Sequence, residues 1–159
     1  MRSEAAVSIL IQRKEDARRS YATIVNIRSN TDGFKHTGIY HPSGERQEAL
    51  FRATYEQSRI HLAEHPLAYI EAHGAGTPTG DPEELLAISR AFCASSEGEA
   101  PLLIGSVKSN MGHSESAAAL SGIAKVIVAI QTGSIPGNLH FDKPRAELSI
   151  LMDEGKLKV

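Results

Sequence analysis

The sequence predicts an α/β fold, because one pattern occurs twice in its central part. A short apolar run is followed by a glycine-containing loop with one histidine and then by a helical segment, first over residues 67–92 and again over residues 102–132. Strands that alternate with helices in this way are typical of α/β proteins, whose ligands bind beyond the carboxyl ends of the strands. We therefore expect a site where the two loops meet.

Composition and charge exclude several classes of function. The chain has 159 residues, of which 41% are apolar, and its 17 basic against 19 acidic side chains give a net charge of −2, which offers no field for a nucleic-acid backbone. The longest mostly apolar stretch, residues 117–130, is shorter than the roughly 20 residues that cross a bilayer. The N-terminus lacks the layout of a secretory signal, and a single cysteine cannot form an internal disulfide. We expect a cytoplasmic protein.

The first third of the chain predicts two strands, a loop and a helix. Residues 4–12 and 21–27 are β-branched, mainly apolar runs and predict adjacent strands. Because the first strand begins so close to the first residue, we expect the chain to be part of a larger protein. Residues 30–44 are rich in Gly, Asn, Asp, Pro and Ser and predict a long loop. Ser43 then predicts the cap of a surface helix that runs to about residue 59.

A strand and a well-marked helix follow. Residues 67–72 predict the strand, and Asp81, Pro82 and Glu84 supply an N-cap acid, a proline at the first helical position and a glutamate at the third. Residues 95–99 predict the end of this helix. Its core-facing stripe comprises Leu85, Ile88, Ser89 and Phe92.

The last part of the chain repeats the pattern. Residues 102–105 predict a strand, residues 115–132 a second helix, and residues 156–159 a closing strand. The second helix carries so many alanines and valines beside its main apolar stripe that it predicts a helix buried nearly all round. That stripe comprises Leu120, Ile123, Ile127 and Ile130.

Two histidines, His73 and His113, lie in the two loops, and each has glycines beside it that let the backbone approach a ligand. Two neutral imidazoles can donate N–H bonds to one oxyanion, which is a strong use of histidine in a site that excludes water. The alternative is a pair of loop histidines that satisfy backbone carbonyls. Lys108, five residues before His113, could hold a carboxylate or orient a neighbour of a histidine, or be a solvated charge.

Three other motifs have structural interpretations that we favour. Residues 74–80 read GxGxxxG, but Thr79 replaces the third glycine of the dinucleotide fingerprint, and Asp81 would repel a phosphate. Residues 61–65 spell the H-x-x-E-H zinc signature, yet Pro66 follows at once and prevents the helix that such a site needs. Cys93, the only thiol, lies near a helix C-terminus that disfavours a thiolate, so we expect it to be a buried packing residue.

The two histidine loops resemble those of the β-ketoacyl synthase (ketosynthase) family. The motifs that carry the resemblance are YIEAHGAGTPTGDPEEL (69–85) and LLIGSVKSNMGHSESAAALSGIAKV (102–126), which are long, ordered and specific in combination. Weaker similarity covers the RSEAAVSILI opening, the NTDGF loop and the GSIPGNLHF tail. The sequence is most similar to ketosynthase domains of animal-type multifunctional fatty acid synthases, and modular polyketide synthases are the alternative within the family.

The resemblance implies a fold and a reaction. The fold is thiolase-like, with α-β-α-β-α layers, and residues 1–159 would form its C-terminal half, with helix 115–132 at the centre. The reaction is a decarboxylative Claisen condensation, in which malonyl on an acyl carrier protein attacks an acyl thioester held by a cysteine. His73 and His113 would stabilise the enolate oxyanion, and Lys108 would support the site electrostatically.

The resemblance also implies partners. Thr77, Gly76 and Asn110 would contact the phosphopantetheine arm of the acyl carrier protein. The other partners would be the N-terminal half of the ketosynthase and a second copy, because the ketosynthases of this family are dimers. No cofactor or metal is implied for this segment, and NADPH would serve other domains of a complete synthase.

Two departures from the family pattern limit these expectations. The nucleophile of the family lies in a D-T-A-C-S type segment upstream of the first histidine, and this sequence has none; Cys93 follows that histidine and does not correspond. We therefore expect the chain to be inactive alone, and a noncatalytic ketosynthase-like scaffold is the rival interpretation. Ala75 replaces the first threonine of the T-G-T motif, and the lost hydroxyl contact would cost about fivefold in affinity for the arm.

Overall fold

The strands in the described part of the chain form a three-stranded parallel sheet. The structure is a computed structural model that describes residues 1–93 and 100–159. Its strands are β1 (Tyr69–Glu71), β2 (Leu102–Gly105) and β3 (Leu157–Lys158), with β2 in the middle. Ile70 is in register with Ile104, and Leu102 with Leu157. The α/β class and the strands predicted at these places are confirmed.

Helices connect and cover the strands. They are α1 (Gly44–Ser58), α2 (Gly80–Phe92), α3 (Lys108–Met111), α4 (Ala118–Thr132) and α5 (Ala146–Asp153), with single 3-10 turns at Lys14–Asp16 and Glu115–Ala117. The helices predicted at residues 43–59, 81–92 and 115–132 are therefore present, the last with a 3-10 first turn. No helix in the described ranges is long and apolar enough to cross a membrane.

The hydrophobic core lies between the sheet and helices α2 and α5. Ile88 of α2 is fully buried and Leu157 of β3 is 2% exposed. Phe92 extends the core toward α1, where its ring lies 5.7 Å from that of Phe51 and 5.1 Å from that of Tyr55. The predicted inward stripe of α2 is confirmed. Core residues are Ala72, Ile88, Cys93, Leu102, Ile104, Leu148, Leu151 and Leu157.

The helix starts agree with the sequence in one case and differ in the other. Ser43 caps α1, since its hydroxyl oxygen accepts a hydrogen bond from the Arg46 amide at 3.2 Å. Helix α2 begins earlier than predicted, with Thr79 at the N-cap position and no side-chain cap, so the assignment of Asp81 as N-cap is wrong. The Asp81 carboxylate instead accepts hydrogen bonds from two amides of the preceding loop. The residues predicted to end α2, 95–99, lie outside the described part of the chain.

The prediction of two N-terminal strands is wrong for the structure as described. In the described range 1–93, residues 4–12 and 21–27 form no strand, and a single bridge joins Arg2 to His113. A β-branched run becomes a strand only when a neighbouring strand accepts and donates its backbone hydrogen bonds. Neither run has such a neighbour here, and apolar side chains such as Leu10 are exposed by 86%.

The prediction that helix 115–132 is buried nearly all round is also wrong. The buried residues of α4 are Ala118, Ser121, Gly122 and Lys125, which repeat at helical spacing. They face β1, where an added Cβ at Gly122 would lie 3.1 Å from Cγ of Glu71. The larger apolar side chains of the predicted stripe point away from this contact, and Leu120, Ile123 and Ile130 are 37%, 45% and 56% exposed.

Candidate active site

The two predicted histidines lie side by side. His73 follows the carboxyl end of β1 and His113 follows the short helix α3 that leaves β2. Because β1 and β2 are adjacent and parallel, their carboxyl ends bring both loops to the same edge of the sheet. The ring centroids are 5.4 Å apart, and the ring planes are at 77° to each other. The geometry therefore allows both imidazoles to reach one small ligand.

Backbone contacts fix the orientation of His113. Its Nδ1 atom lies 2.9 Å from the backbone nitrogen of Glu115, which donates the hydrogen bond. In a neutral imidazole the nitrogen that accepts leaves the other as the N–H donor, so Nε2 carries the proton. The His113 backbone is also held on both sides, since its N–H donates to Met1 O and its carbonyl accepts from Ser3 N, each at 2.9 Å. The neutral ring of His113 therefore carries its N–H donor at Nε2.

A carboxylate of α2 holds the His73 loop. Glu84 accepts hydrogen bonds from the His73 amide at 2.7 Å and from the Gly74 amide at 2.9 Å, one with each carboxylate oxygen. Gly74 has φ +45°, and an added Cβ would lie 2.7 Å from Cβ of Ser106, so the turn requires glycine there. The sequence marked Glu84 only as a helix-start residue, and its distance from His73 along the chain hid the contact.

The electrostatics favour a neutral His73. Partial burial lowers the pKa of His73 below its ordinary value of 6.5, and the nearby Lys108 ammonium lowers it further, whereas Glu84 and Asp81 oppose the shift. Lys108 Nζ donates to the backbone carbonyl of His73 at 2.5 Å. The hydroxyl of Ser106 donates to the same carbonyl at 3.1 Å. Lys108 therefore contacts the backbone of His73.

The residues expected at the carrier arm lie outside this pair. Gly76 and Thr77 are exposed, and the Asp81 carboxylate accepts from their amides at 3.1 and 3.2 Å. The Thr77 hydroxyl oxygen accepts from the Gly80 amide, which leaves its O–H proton available to a ligand. Asn110 is exposed and donates to the carbonyl of Gly137 at 3.3 Å. The Asp81 carboxylate already accepts hydrogen bonds from the loop amides that a phosphate would need, which argues against a nucleotide-binding loop.

Cys93 lies at the other end of the sheet. Its sulfur is 3.5 Å from the carbonyl of Lys156, the same carbonyl that accepts a hydrogen bond from the Leu102 amide at the start of β2. The histidines lie beyond the far end of that four-residue strand, which rises by roughly 3.3 Å per residue. Cys93 is 5% exposed, and burial raises the pKa of its thiol. It packs in the core, as predicted, and does not face the histidines.

The zinc-like motif forms an exposed turn. The amides of Glu64 and His65 both donate to the carbonyl of His61, and no helix continues beyond them in the described residues. Across the described ranges, no three His, Cys, Asp or Glu side chains are grouped as a metal site would require.

The fold defines the class of protein. The chain is an α/β protein with the thiolase-like arrangement of strands and helices. The chain belongs to the β-ketoacyl synthase family, because the profile of the β-ketoacyl synthase C-terminal domain matches residues 21–142. It is a ketosynthase C-terminal domain of the type found in fatty acid and polyketide synthases.

Two curated relatives, a fatty acid synthase and a polyketide synthase, are similar to this chain. A fatty acid synthase from Anser anser anser is 47% identical over 132 residues, which cover 83% of this chain and 36% of that protein. A highly reducing polyketide synthase from Aspergillus terreus is 43% identical over 162 aligned residues, which cover 99% of this chain and 6% of that protein. The chain therefore spans about a third or less of the length of these relatives.

Solved ketosynthases share the fold. The ketosynthase from module 6 of the bacillaene synthase of Bacillus subtilis 168 has a TM-score of 0.78 and 36% identity, over 86% of this chain and 24% of that one. An oxazolomycin ketosynthase domain from Streptomyces albus has a TM-score of 0.80 and 30% identity, over 91% of this chain and 25% of that one.

Proposed function

We propose that the chain supplies the two-histidine half of a β-ketoacyl-[acyl carrier protein] synthase site in the fatty acid synthase step that lengthens an acyl chain. The observation that carries the proposal is the juxtaposition of His73 and His113, whose ring centroids are 5.4 Å apart. The N–H donor at Nε2 of His113 and the neutral state favoured for His73 suit two donors to one oxyanion.

The proposed reaction has two steps, decarboxylation and condensation. Malonyl thioester loses CO2, and the electron pair of the broken C–C bond becomes an enolate whose oxygen accepts N–H bonds from His73 and His113. The enolate carbon then forms a bond to the carbonyl carbon of the acyl group, and the acyl–sulfur bond breaks to return a thiolate on the enzyme. Lys108 holds the backbone of His73 and keeps a positive charge near the forming oxyanion.

The nucleophilic cysteine would come from a segment that this sequence does not contain. Cys93 is unsuited to the role because it is buried at the opposite end of the sheet and its thiol pKa is raised. The malonyl group would arrive on the phosphopantetheine arm of an acyl carrier protein, with Thr77, Gly76 and Asn110 at the approach. We also propose that the complete synthase is a cytoplasmic homodimer whose other domains use NADPH.

A polyketide ketosynthase is the second candidate, because polyketide synthases are about as similar to this chain as the fatty acid synthase is. Polyketide synthases align with up to 99% of this chain, whereas the fatty acid synthase aligns with 83%. Analysis of the products of the complete synthase decides between them: saturated fatty acids support the first candidate, and branched or partly reduced chains support the second.

The site assignment is tested by His113→Ala in a complete ketosynthase that contains this chain. Loss of one of two oxyanion donors should lower the rate of malonyl decarboxylation by about 10²–10³-fold. His61→Ala, in the exposed turn, is the control and should retain the rate. Unchanged decarboxylation by His113→Ala would refute the role of the imidazole pair, and an unsubstituted enzyme that does not decarboxylate would favour the noncatalytic scaffold.

A further inference from the structure

A buried cluster of three polar side chains lies beneath the two histidine loops. Lys125 of α4 and Glu71 at the end of β1 form an ion pair at 3.0 Å, and their side chains are 7% and 12% exposed. The phenol oxygen of Tyr69 accepts from Lys125 Nζ at 2.8 Å, and its O–H donates to Glu71 at 2.5 Å. Burial of the ring, followed by the contact with Glu71, raises the pKa of Tyr69, so the phenol stays protonated. We call these three residues the Glu71 cluster.

The Glu71 cluster is tightly enclosed. An added Cβ at Gly105 would lie 2.6 Å from the Tyr69 hydroxyl and 3.3 Å from Lys125 Nζ, and one at Gly122 would lie 3.1 Å from Glu71 Cγ. Two charges held so closely, away from solvent, are stable only when each has its hydrogen bonds. Apolar side chains at these places would fold with a smaller desolvation cost, so a stabilising role alone does not explain the pair.

The carboxylate of Glu71 also connects the two loops. Its second oxygen accepts from the backbone N–H of Val107 at 2.5 Å, and Val107 directly precedes Lys108. Glu71 itself lies two residues before His73 on β1. Helix α4, which supplies Lys125, begins five residues after His113. The cluster thus joins the strand that leads to His73, the segment that leads to Lys108, and the helix that begins after His113.

We propose that Glu71, oriented by Lys125 and Tyr69, is a positioning residue for the imidazole pair: it holds the backbone at Val107 against the strand of His73 and so sets the relative placement of the two rings. This inference rests on the proposed function. The polar atoms of the three side chains are engaged with one another and with the Val107 amide, so the proposal gives them no contact with the substrate.

The test is Lys125→Met in a complete ketosynthase that contains this chain, with malonyl-pantetheine as the substrate. The substitution keeps an unbranched stem of four atoms but removes the ammonium, and so leaves Glu71 without its cation. Because a displacement of about 1 Å can cost about 10²-fold, we expect kcat for decarboxylation to fall by about 100-fold. KM should change less than about twofold, since the arm contacts lie elsewhere. The matched control is Arg52→Met, which removes the exposed ion pair with Glu48 on α1.

A second measurement separates positioning from simple loss of folded protein. In a His113→Ala background, Lys125→Met should have little further effect, because the ring that it positions is already gone. If Lys125→Met instead lowered the amount of folded protein, the losses of activity caused by the two substitutions would multiply. If Lys125→Met does not fold, Tyr69→Phe removes one hydroxyl at constant shape and should lower kcat about tenfold.

The outcomes are distinguishable. Multiplicative losses, or full activity in both Lys125→Met and Tyr69→Phe, overturn the positioning role and leave the proposed function intact. An unsubstituted enzyme that folds but does not decarboxylate malonyl-pantetheine overturns the proposed function, and this inference with it.

Discussion

The N-terminal segment (residues 1–43) and the histidine-loop region (residues 69–93 and 100–132) contain similarly apolar runs but differ in how their backbones are paired. In the histidine-loop region, strands of three and four residues pair in parallel and bury side chains such as Ile104, which is 4% exposed. In the N-terminal segment, longer runs form no strand within the described residues, and Ile27 is 83% exposed. Pairing partners, more than the length of an apolar run, determine which segment becomes a strand.

Hydrogen exchange on the isolated chain should give the largest contrast between these regions. The amides of Ala72 and Leu102 donate to Gly105 O at 2.7 Å and Lys156 O at 3.0 Å within the sheet. We expect at least about 10³-fold slower exchange there than in an unstructured peptide, and little protection over residues 4–12. Equal protection of the two regions would contradict the comparison.

Substitutions in the core and in the N-terminal segment should differ in their effect on the free energy of unfolding. Ile88→Ala empties a fully buried position and should lower the free energy of unfolding by about 2–5 kcal/mol. Leu10→Ala removes a side chain that is 86% exposed and should change it by less than about 0.5 kcal/mol. Urea denaturation of both variants measures the difference, and a large loss for Leu10→Ala would mean that residues 4–12 pack against the domain.

Local signals in the sequence were sufficient for the parts of the fold that depend on local chemistry. Ser43 marked the start of α1, the helical spacing in α2 marked Ile88 as a core residue, and the two repeated loops marked both histidines. Each of these signals lies within a few residues of the feature that it predicts. The juxtaposition of His73 and His113 followed from one added rule, that loops beyond the carboxyl ends of neighbouring parallel strands meet.

The features that the sequence did not predict depend on residues far apart in the chain. Glu71 lies 54 positions before Lys125, and each looks like an ordinary surface charge in its own segment. The buried face of α4 was misassigned for a related reason. The helix turns Ala118, Ser121, Gly122 and Lys125 toward β1, where Glu71 leaves little room for a Cβ at position 122, and it turns its larger apolar residues the other way. Periodicity finds an apolar stripe but does not identify which face a neighbour covers.

The smallest effect that we expect is a shift in the pKa of His73, and it concerns only the histidine-loop region. Partial burial is the largest cause of its lowered pKa, and the positive charge of Lys108 is the second. Glu84 and Asp81 act in the opposite direction and remain in place when Lys108 is changed. Removal of the Lys108 charge therefore leaves desolvation as the main lowering effect, and the pKa of His73 should rise toward its ordinary value.

Lys108→Met should accordingly make His73 protonate at a higher pH than in the unsubstituted protein. The neutral ring exists above its pKa, so the acid limb of the decarboxylation profile should move to higher pH in the complete enzyme. NMR titration of the His73 ring protons, assigned with His73→Gln, measures the shift directly. Lys14→Met, in the exposed turn Lys14–Asp16, is the control for a change of one charge elsewhere. An unchanged or lowered pKa in Lys108→Met would mean that the ammonium acts on the His73 backbone alone, through the hydrogen bond to its carbonyl.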